Sequence, residues 1–293
     1  MAQSPLDFLC LPCVKTMKQV LAQFSYPINL TKGNFEKLEF LFQKNSVKVL
    51  FSGRNLKEFD FVWLSSFWDS RDLAYAVKLY LDKTKVFATH VEKSTSKLTD
   101  QMICSLGGIS VPDSLFLGEK DVVSSLEQIE KICGYPLIIK DTKGSRGLDS
   151  LYIKTESELV QKLKQFPEHR KFLFQKYIPN LYDWGILVAN GQVVSGERSY
   201  PEIGEFRNNA CNGAKEIFVK PEEIPSEIQK IAIKANDLLG LSWSRADIIV
   251  DSKTQQPYLL EVNRLPGITL NTTEMSGAYQ FLSEQIEKLD TRC

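Results

Sequence analysis

Asp247, Glu261 and Asn263 carry oxygen atoms at a spacing that could hold a divalent cation. The runs ADIIV and YLLEV around them are rich in β-branched and aliphatic residues, and the polar, proline-closed segment 251–257 joins them, the pattern of a β-hairpin. A connection symmetric about Thr254 places Val250 opposite Tyr258 and Asp247 opposite Glu261. Asn263 shares that face because strand side chains repeat every second residue. Two carboxylates about 4 Å apart repel by roughly 4 kcal/mol at an effective dielectric near 20. A hard cation relieves the repulsion, and this oxygen set suits Mg²⁺, which keeps the rest of its shell for water and phosphate oxygens. The competing arrangement is a solvent-facing sheet edge whose acids are simply hydrated.

A second set lies in residues 134–150, GYPLIIKDTKGSRGLDS. The apolar strand LIIK ends in Lys140, and the turn after it carries Gly144, Ser145, Arg146 and Gly147 before the strand LYIK. Successive amides in a glycine-rich turn can form a concave nest for phosphate oxygens, with the strand lysine completing the charge match. Neither the P-loop spacing nor the dinucleotide G-x-G-x-x-G pattern is present. The alternative is a hairpin tip with incidental basic residues. Residues 204–214 bring Arg207, Asn208, Asn209 and Asn212 into one loop, and a planar, permanently charged Arg suits phosphate. A solvated loop is the alternative there. With only His90 and His169 and no G-x-S-x-G, the usual nucleophilic triads lack parts, and Cys10-x-x-Cys13 is half a zinc site.

The elements that must position these groups read as α/β. Residues 1–90 suggest a helix over 34–43, strands at 47–51 and in FDFVWLS, a helix over 71–81 and the strand KVFA, paired in parallel. Phe59, Phe61, Trp63, Phe67 and Trp68 read better as core than as a ligand wall. A helix over 96–106 has Lys97 near its start, another covers 156–165, and the strand KFLFQKYI follows. In DWGILVANGQVVSGER, Asn190-Gly191 fits a type I′ turn, which sets Ala189 opposite Gln192, Asp183 opposite Arg198 and Gly185 opposite Gly196. Helices over 224–239 and 278–289 complete the pattern, with divisions expected at 1–90, 91–170 and 171–293.

The chain has 293 residues, 43% of them hydrophobic, ample for buried cores. Lys+Arg and Asp+Glu both number 36, so no net field draws nucleic acid or an anionic membrane, and a bound anion must be gripped locally. No apolar run reaches the roughly 18 residues of a membrane span, and the first residues lack a signal peptide's pattern, so the expected location is cytoplasmic. Six scattered cysteines read as reduced thiols.

Taken in order, the strand lysine, the glycine-rich loop, the QKYI strand end, the Arg-Asn-Asn loop and the Asp…Glu-x-Asn hairpin resemble the ATP-grasp superfamily, and within it the RimK-like carboxylate–amine (glutamate) ligases, over about residues 90–285. The resemblance implies two α+β lobes that grip ATP, preceded by a small α/β lobe. It implies Lys97 and Lys140 on the nucleotide phosphates with residues 144–147 closing over them. Gln175, Lys176, Tyr177 and Ile178 would form the linker whose backbone reads adenine, with Asp183 beside the ribose. Arg207 would reach the γ-phosphate, with Asn209 near it, and Asp247, Glu261 and Asn263 match the family's Mg²⁺ (or Mn²⁺) ligands. The implied activity is ADP-forming ligation of a carboxylate to an amine through an acyl phosphate, on small molecules or on a peptide or protein acceptor. A nucleotide-binding protein without turnover is the other reading, and a homo-oligomer is compatible with either. One departure stands out: relatives commonly show Asp-x-Arg where this chain has Asp183-Trp184-Gly185, so the substrate-side arginine is expected to be missing.

Overall fold

Short apolar runs build four sheets in the computed structural model, which describes residues 4–43, 46–89, 96–117, 122–142, 150–165, 172–202 and 213–290. The first is parallel, with β1 (Leu6–Leu11), β2 (Ile28–Lys32), β6 (Phe61–Leu64) and β7 (Phe87–Ala88) in the order β2-β1-β6-β7. Helix α2 (Arg71–Thr84) packs Ala74, Val77 and Leu81 against Leu9, Leu11, Val62 and Leu64. The short α1 (Met17–Leu21) buries Met17 and Val20 on the other side, beside Phe8, Phe61 and Trp63. Burial of Phe59, Phe61 and Trp63 agrees with a core role, while Phe67 is exposed and the Trp68 side chain lies outside the described residues.

Residues 34–43 are not helical. Only Phe35–Lys37 makes a 3₁₀ turn, and β3 (Leu38–Gln43), β4 (Ser46–Phe51) and β5 (Arg54–Asn55) form a separate antiparallel sheet. LEFLFQ alternates at the strand period and finds a β-branched partner in VKVLF immediately after it, so local pairing overrides helix propensity. The 47–51 strand is therefore antiparallel and outside the parallel sheet.

The second main sheet has the order β10-β9-β11-β8, all antiparallel, from β8 (Ser114–Phe116), β9 (Leu137–Asp141), β10 (Ser150–Ile153) and β11 (Phe172–Lys176). Helices α4 (Leu126–Cys133) and α5 (Glu156–Leu163) cover one face, around Ile129, Leu137, Ile139, Leu159 and Phe174.

The largest sheet runs β14-β13-β12-β15-β16, from β12 (Asp183–Ala189), β13 (Gln192–Tyr200), β14 (Lys215–Val219), β15 (Trp243–Val250) and β16 (Pro257–Asn263). Its two faces differ. Trp184, Ile186, Val188, Ala246 and Ile248 pack on α6 (Ser226–Leu238). The other face carries Leu187, Ala189 and Trp243 against Ala278, Phe281 and Leu282 of α7 (Thr273–Asp290), where Trp63 joins from the first sheet, its ring 5.1 Å from Trp243. Helix α3 (Lys97–Leu106), started by a Ser96–Thr99 capping box, lies beside β16.

Both hairpins of this sheet carry a bulge, and each bulge alters the expected register. Asn190 and Gly191 take positive φ of 47° and 75°, as a type I′ turn requires, and Ala189 faces Gln192. Val194 is then an extra residue, so Asp183 faces Ser199 and not Arg198, and Gly185 faces Glu197 and not Gly196. In the other hairpin Val250 faces Pro257 and not Tyr258, and the extra residue Leu260 shifts the pairing so that Asp247 faces Glu261.

Candidate active site

Asp247 and Glu261 are cross-strand partners on β15 and β16, and Asn263, two residues on from Glu261, lies opposite Arg245. Asn263 Nδ2 donates to Asp247 Oδ2 at 2.8 Å. Burial and then the Glu261 carboxylate raise Asp247 to about 7, against the pull of Arg245. Burial also pushes Glu261 up, but Lys97 and Lys140 outweigh it and hold Glu261 below its usual range. Lys97 Nζ lies 3.4 Å from Glu261 Oε2. Lys140, at the outer end of β9, is lowered to about 8, first by burial and then by Lys97, while Glu261 opposes the shift. Lys97, on the first turn of α3, is thus a buried-side cation with only 11% of its side chain exposed, unlike an ordinary helix-surface lysine.

Lys97, Lys140 and Glu261 border a cleft between α3, β9 and β16, lined also by Leu173 and Leu260, and Asp247 lies across the strands from Glu261. Two lysines there face a pair of carboxylates that repel each other, so the cleft can take both a polyanion and a cation. Among the described residues no group of three or more His, Cys, Asp and Glu is placed to hold a metal. The donor set is instead two carboxylates and one amide, which fits a hard ion that fills its remaining positions from phosphate oxygens and water. Turning the Asn263 amide by half a turn would present its oxygen in place of the nitrogen now bonded to Asp247.

The linker residues lie where β11 leaves the cleft. Gln175 is buried and its Nε2 donates to Ser114 Oγ at 3.1 Å, while the Lys176 N–H donates to the Asp113 carbonyl at 2.8 Å. Tyr177 stacks edge-on to Tyr152 at 4.9 Å, and Ile178 is buried. Asp183 opens β12 and accepts from Asn180 Nδ2 at 2.5 Å. Gly144, Ser145, Arg146, Gly147, Arg207 and Asn209 lie outside the described residues.

Two ion clusters flank the site, and neither was among the sequence candidates. Around Asp100 on α3, Arg71 of α2 and Arg264 converge on one carboxylate, Arg264 at 2.5 and 2.9 Å and Arg71 at 3.2 and 3.3 Å. Around Arg245, NH1 donates to Glu274 Oε1 of α7 at 3.3 Å, NH2 donates to Glu197 Oε2, and Nε lies 3.8 Å from Asp247 Oδ1. The signal for both was available: Arg245 precedes Asp247 by two residues and so shares its face, and Asp100 follows Lys97 by one helical turn. Gly185 opens no gap. A Cβ built there would sit 2.4–2.8 Å from Nε, NH2 and Cζ of Arg245, whose guanidinium occupies that space.

Residues 90–283 match the RimK-like ATP-grasp domain, and the chain belongs to that family. It is 30% identical over 183 residues to a probable alpha-L-glutamate ligase of Aeromonas salmonicida (strain A449), covering 61% of this chain and 58% of that protein. A probable alpha-L-glutamate ligase of Pseudomonas fluorescens is 27% identical over 202 residues, 68% and 65% of the two lengths. The chain therefore spans less than two thirds of these relatives. Among solved structures, D-alanyl-alanine synthetase A from Vibrio cholerae superposes over 98% of this chain and 99% of its own, with a TM-score of 0.70 at 16% identity. The ATP-grasp ligase PsnB, complexed with minimal precursor, covers 96% and 100% with a TM-score of 0.65, also at 16% identity. At such identity these likenesses show the ATP-grasp fold, α+β in its lobes, and the α/β sheet of β1 and its neighbours falls within the superposed length.

Proposed function

We propose that the protein is an ATP-dependent, ADP-forming carboxylate–amine ligase that makes an amide bond through an acyl phosphate. The observation that carries this reading is the meeting of Lys97, Lys140 and Glu261 at one cleft, with Asp247 across the strands from Glu261 and Asn263 bonded to Asp247, in a chain of the RimK-like ATP-grasp family. Asp247, Glu261 and Asn263 would hold Mg²⁺ (or Mn²⁺), which neutralises phosphate charge during transfer. Lys97 and Lys140 would hold the nucleotide phosphates as point charges, and Gly144, Ser145, Arg146 and Gly147 are expected to share that task. Adenine would be read by the backbone of Gln175, Lys176, Tyr177 and Ile178, where the Lys176 N–H is already bonded to the Asp113 carbonyl, and Asp183 would lie beside the ribose. Arg207 and Asn209 would serve the γ-phosphate.

In the first step a carboxylate oxygen attacks the γ-phosphorus and the bond to the β-phosphate oxygen breaks, giving an acyl phosphate and ADP. In the second an amine attacks the acyl carbon, phosphate leaves and the amine loses a proton. The chain contributes positioning and charge balance and no covalent nucleophile. The names of the curated relatives point to glutamate as one substrate, and a cytoplasmic location suits both ATP and free amino acids. A peptide or protein acceptor remains within the same chemistry.

Purified protein with Mg·ATP, screened for phosphate release against pools of amino acids, small carboxylates and peptides, tests the proposal. Release that depends on an added acid and amine is the expected result. Tight nucleotide binding with no acid-dependent release from any pool overturns it in favour of a protein that binds nucleotide without turnover.

A further inference from the structure

The Cys10-x-x-Cys13 pair is left unused by the ligase chemistry, and the fold brings its two thiols together. Cys10 lies near the end of β1 and packs with Met17, Val20 and Trp63 in the core between the first sheet and α7, where it is buried. The chain then bends at Pro12 and curls back over the Cys10 sulfur. Cys10 Sγ lies 3.9 Å from the Pro12 carbonyl, and the backbone of Val14 and the Cys13 thiol are both within hydrogen-bonding reach of it. Cys13 stays half-buried at the rim of that core, its Sγ 3.5 Å from the Val14 carbonyl. The two thiols are unequal. Burial, and then the Cys13 thiol, push Cys10 well above the usual thiol range. The Cys10 thiol, as a hydrogen-bond donor, and more weakly Lys32 hold Cys13 below that range, against the effect of its own partial burial. Lys32 is the β2 residue directly opposite Cys10. Cys104 and Cys133 provide a contrast within the same chain, since both are buried and burial pushes each up to about 11.

We propose that Cys10 and Cys13 are a redox-active dithiol, a covalent modification site for small disulfides in which the half-buried Cys13 attacks and the buried Cys10 resolves. This assignment is independent of the ligase reading. In the first step the Cys13 thiolate attacks one sulfur of the small disulfide, the S–S bond of that molecule breaks, and one small thiolate leaves. In the second the Cys10 sulfur, giving up its proton, attacks the Cys13 sulfur, so that the mixed disulfide breaks and the second small thiolate leaves. The protons of the two cysteines end on the two departing thiolates. Two protein thiols are oxidised to one disulfide, and the small disulfide is reduced to two thiols. Thiolate character and access decide which cysteine reacts first, and Cys13 has both where Cys10, Cys104 and Cys133 have neither. A zinc ion would need further ligands beside the pair, and among the described residues no group of three or more His, Cys, Asp and Glu stands together. A dithiol is complete with two sulfurs.

The test exposes the reduced full chain to oxidised glutathione and maps its cysteines by alkylation, proteolysis and mass spectrometry, so that each thiol is read on its own peptide and Cys211 and Cys293 stay out of the comparison. Before oxidation, Cys13 is expected to be alkylated at least about 10-fold faster than Cys104 or Cys133 at neutral pH. Oxidised glutathione then converts the peptide that holds both Cys10 and Cys13 to its internal disulfide, and dithiothreitol restores both thiols. In Cys10→Ser the resolving sulfur is gone, and glutathione is expected to accumulate on Cys13. In Cys13→Ser, Cys10 is expected to take no adduct. A wild-type chain that keeps both thiols alkylatable in excess oxidised glutathione overturns the proposal. Glutathione that stays on wild-type Cys13 with no internal disulfide also overturns it, because the two sulfurs then do not meet. Uptake on Cys10 in Cys13→Ser as fast as on Cys13 in wild type overturns the assigned roles and the proposal with them. If Cys10→Ser does not fold, Cys10→Ala keeps the core apolar and gives the same adduct readout, and the internal disulfide of wild type decides without any variant.

Discussion

The two arginine clusters beside the cleft are built to opposite ratios. Asp100 is shared by two guanidinium groups, whereas Arg245 is shared by two carboxylates. In the first, the side chains of Arg71, Asp100 and Arg264 are 4%, 8% and 1% exposed, and they join α2, α3 and the residue after Asn263. That cluster fastens three segments together and presents little to a ligand. In the second, the partners are as deeply buried but the central group is open, so the burial fixes an orientation. The difference teaches that a buried ion cluster is read by where its exposed atoms are, not by its charge count. Bonds that close on themselves hold chain segments, whereas two buried partners around one partly exposed group fix that group's orientation.

The largest expected effect separates the clusters by stability. Asp100→Ala leaves two buried guanidinium groups facing each other and is expected to lose about 3–5 kcal/mol of unfolding free energy; a denaturation midpoint close to wild type would put the Asp100 cluster in the same class as a surface pair. Next, Glu261→Ala and Asn263→Ala remove cation ligands from an open cleft and not packing atoms. Turnover should fall at least about 100-fold while unfolding stays cooperative, and wild-type rates at limiting Mg²⁺ would remove the metal assignment. Lys140→Ala should weaken ATP binding about 10-fold or more with little change in melting temperature, and Lys143→Ala should do less. Calorimetric titration with ATP compares the two, and equal losses would mean that the wrong lysine faces the nucleotide.

The smallest effect belongs to an exposed pair that serves as a baseline for both clusters. The Arg54 guanidinium, 2.6 Å from Asp7, and then the Asn29 amide hold the Asp7 carboxyl below its usual range. A carboxylate with a depressed folded pKa adds stability that is present above its unfolded value of about 4 and is lost as pH falls through the folded value. Arg54→Ala should therefore narrow the stability gap between pH 7 and pH 3 by under about 1 kcal/mol, since both side chains are about a third exposed. A loss as large as that from Asp100→Ala would show that exposure does not distinguish these pairs.

Most of the large sheet was legible because its strands are rich in aliphatic and β-branched residues. DWGILVA and YLLEVN show which residues share a face, and Asn190-Gly191 fixes a turn. The metal-type oxygens were legible for the same reason. What escaped depended on contacts distant in sequence. Arg245 was read as part of a strand and not of a site because its partners, Glu197 and Glu274, are 48 and 29 residues away. Gly185 reads only as a missing arginine, because nothing local says that a side chain from the neighbouring strand fills the space. The 38–43 strand was taken as helix because LEFLFQ contains good helix formers and its competing partner lies just beyond. The strands LDFLCL and INLTK at the start of the chain are not expected from the sequence, since they pair in parallel across the intervening α1 and no turn signal links them.

Leu260 gives the acidic hairpin a property of its own. Being one residue out of step with β15, it works as a phase shifter: the turn side keeps one numbering of partners and the cleft side another. The turn at 251–256 can then be rebuilt, even as a graft site for a foreign loop, without rotating Glu261 out of the cleft, provided the bulge stays. Losing Leu260 alone leaves the composition of the site intact yet offers a choice of two bad frames. Either Glu261 turns toward α6 and Val262 toward the nucleotide, or the turn takes up the slip and opens.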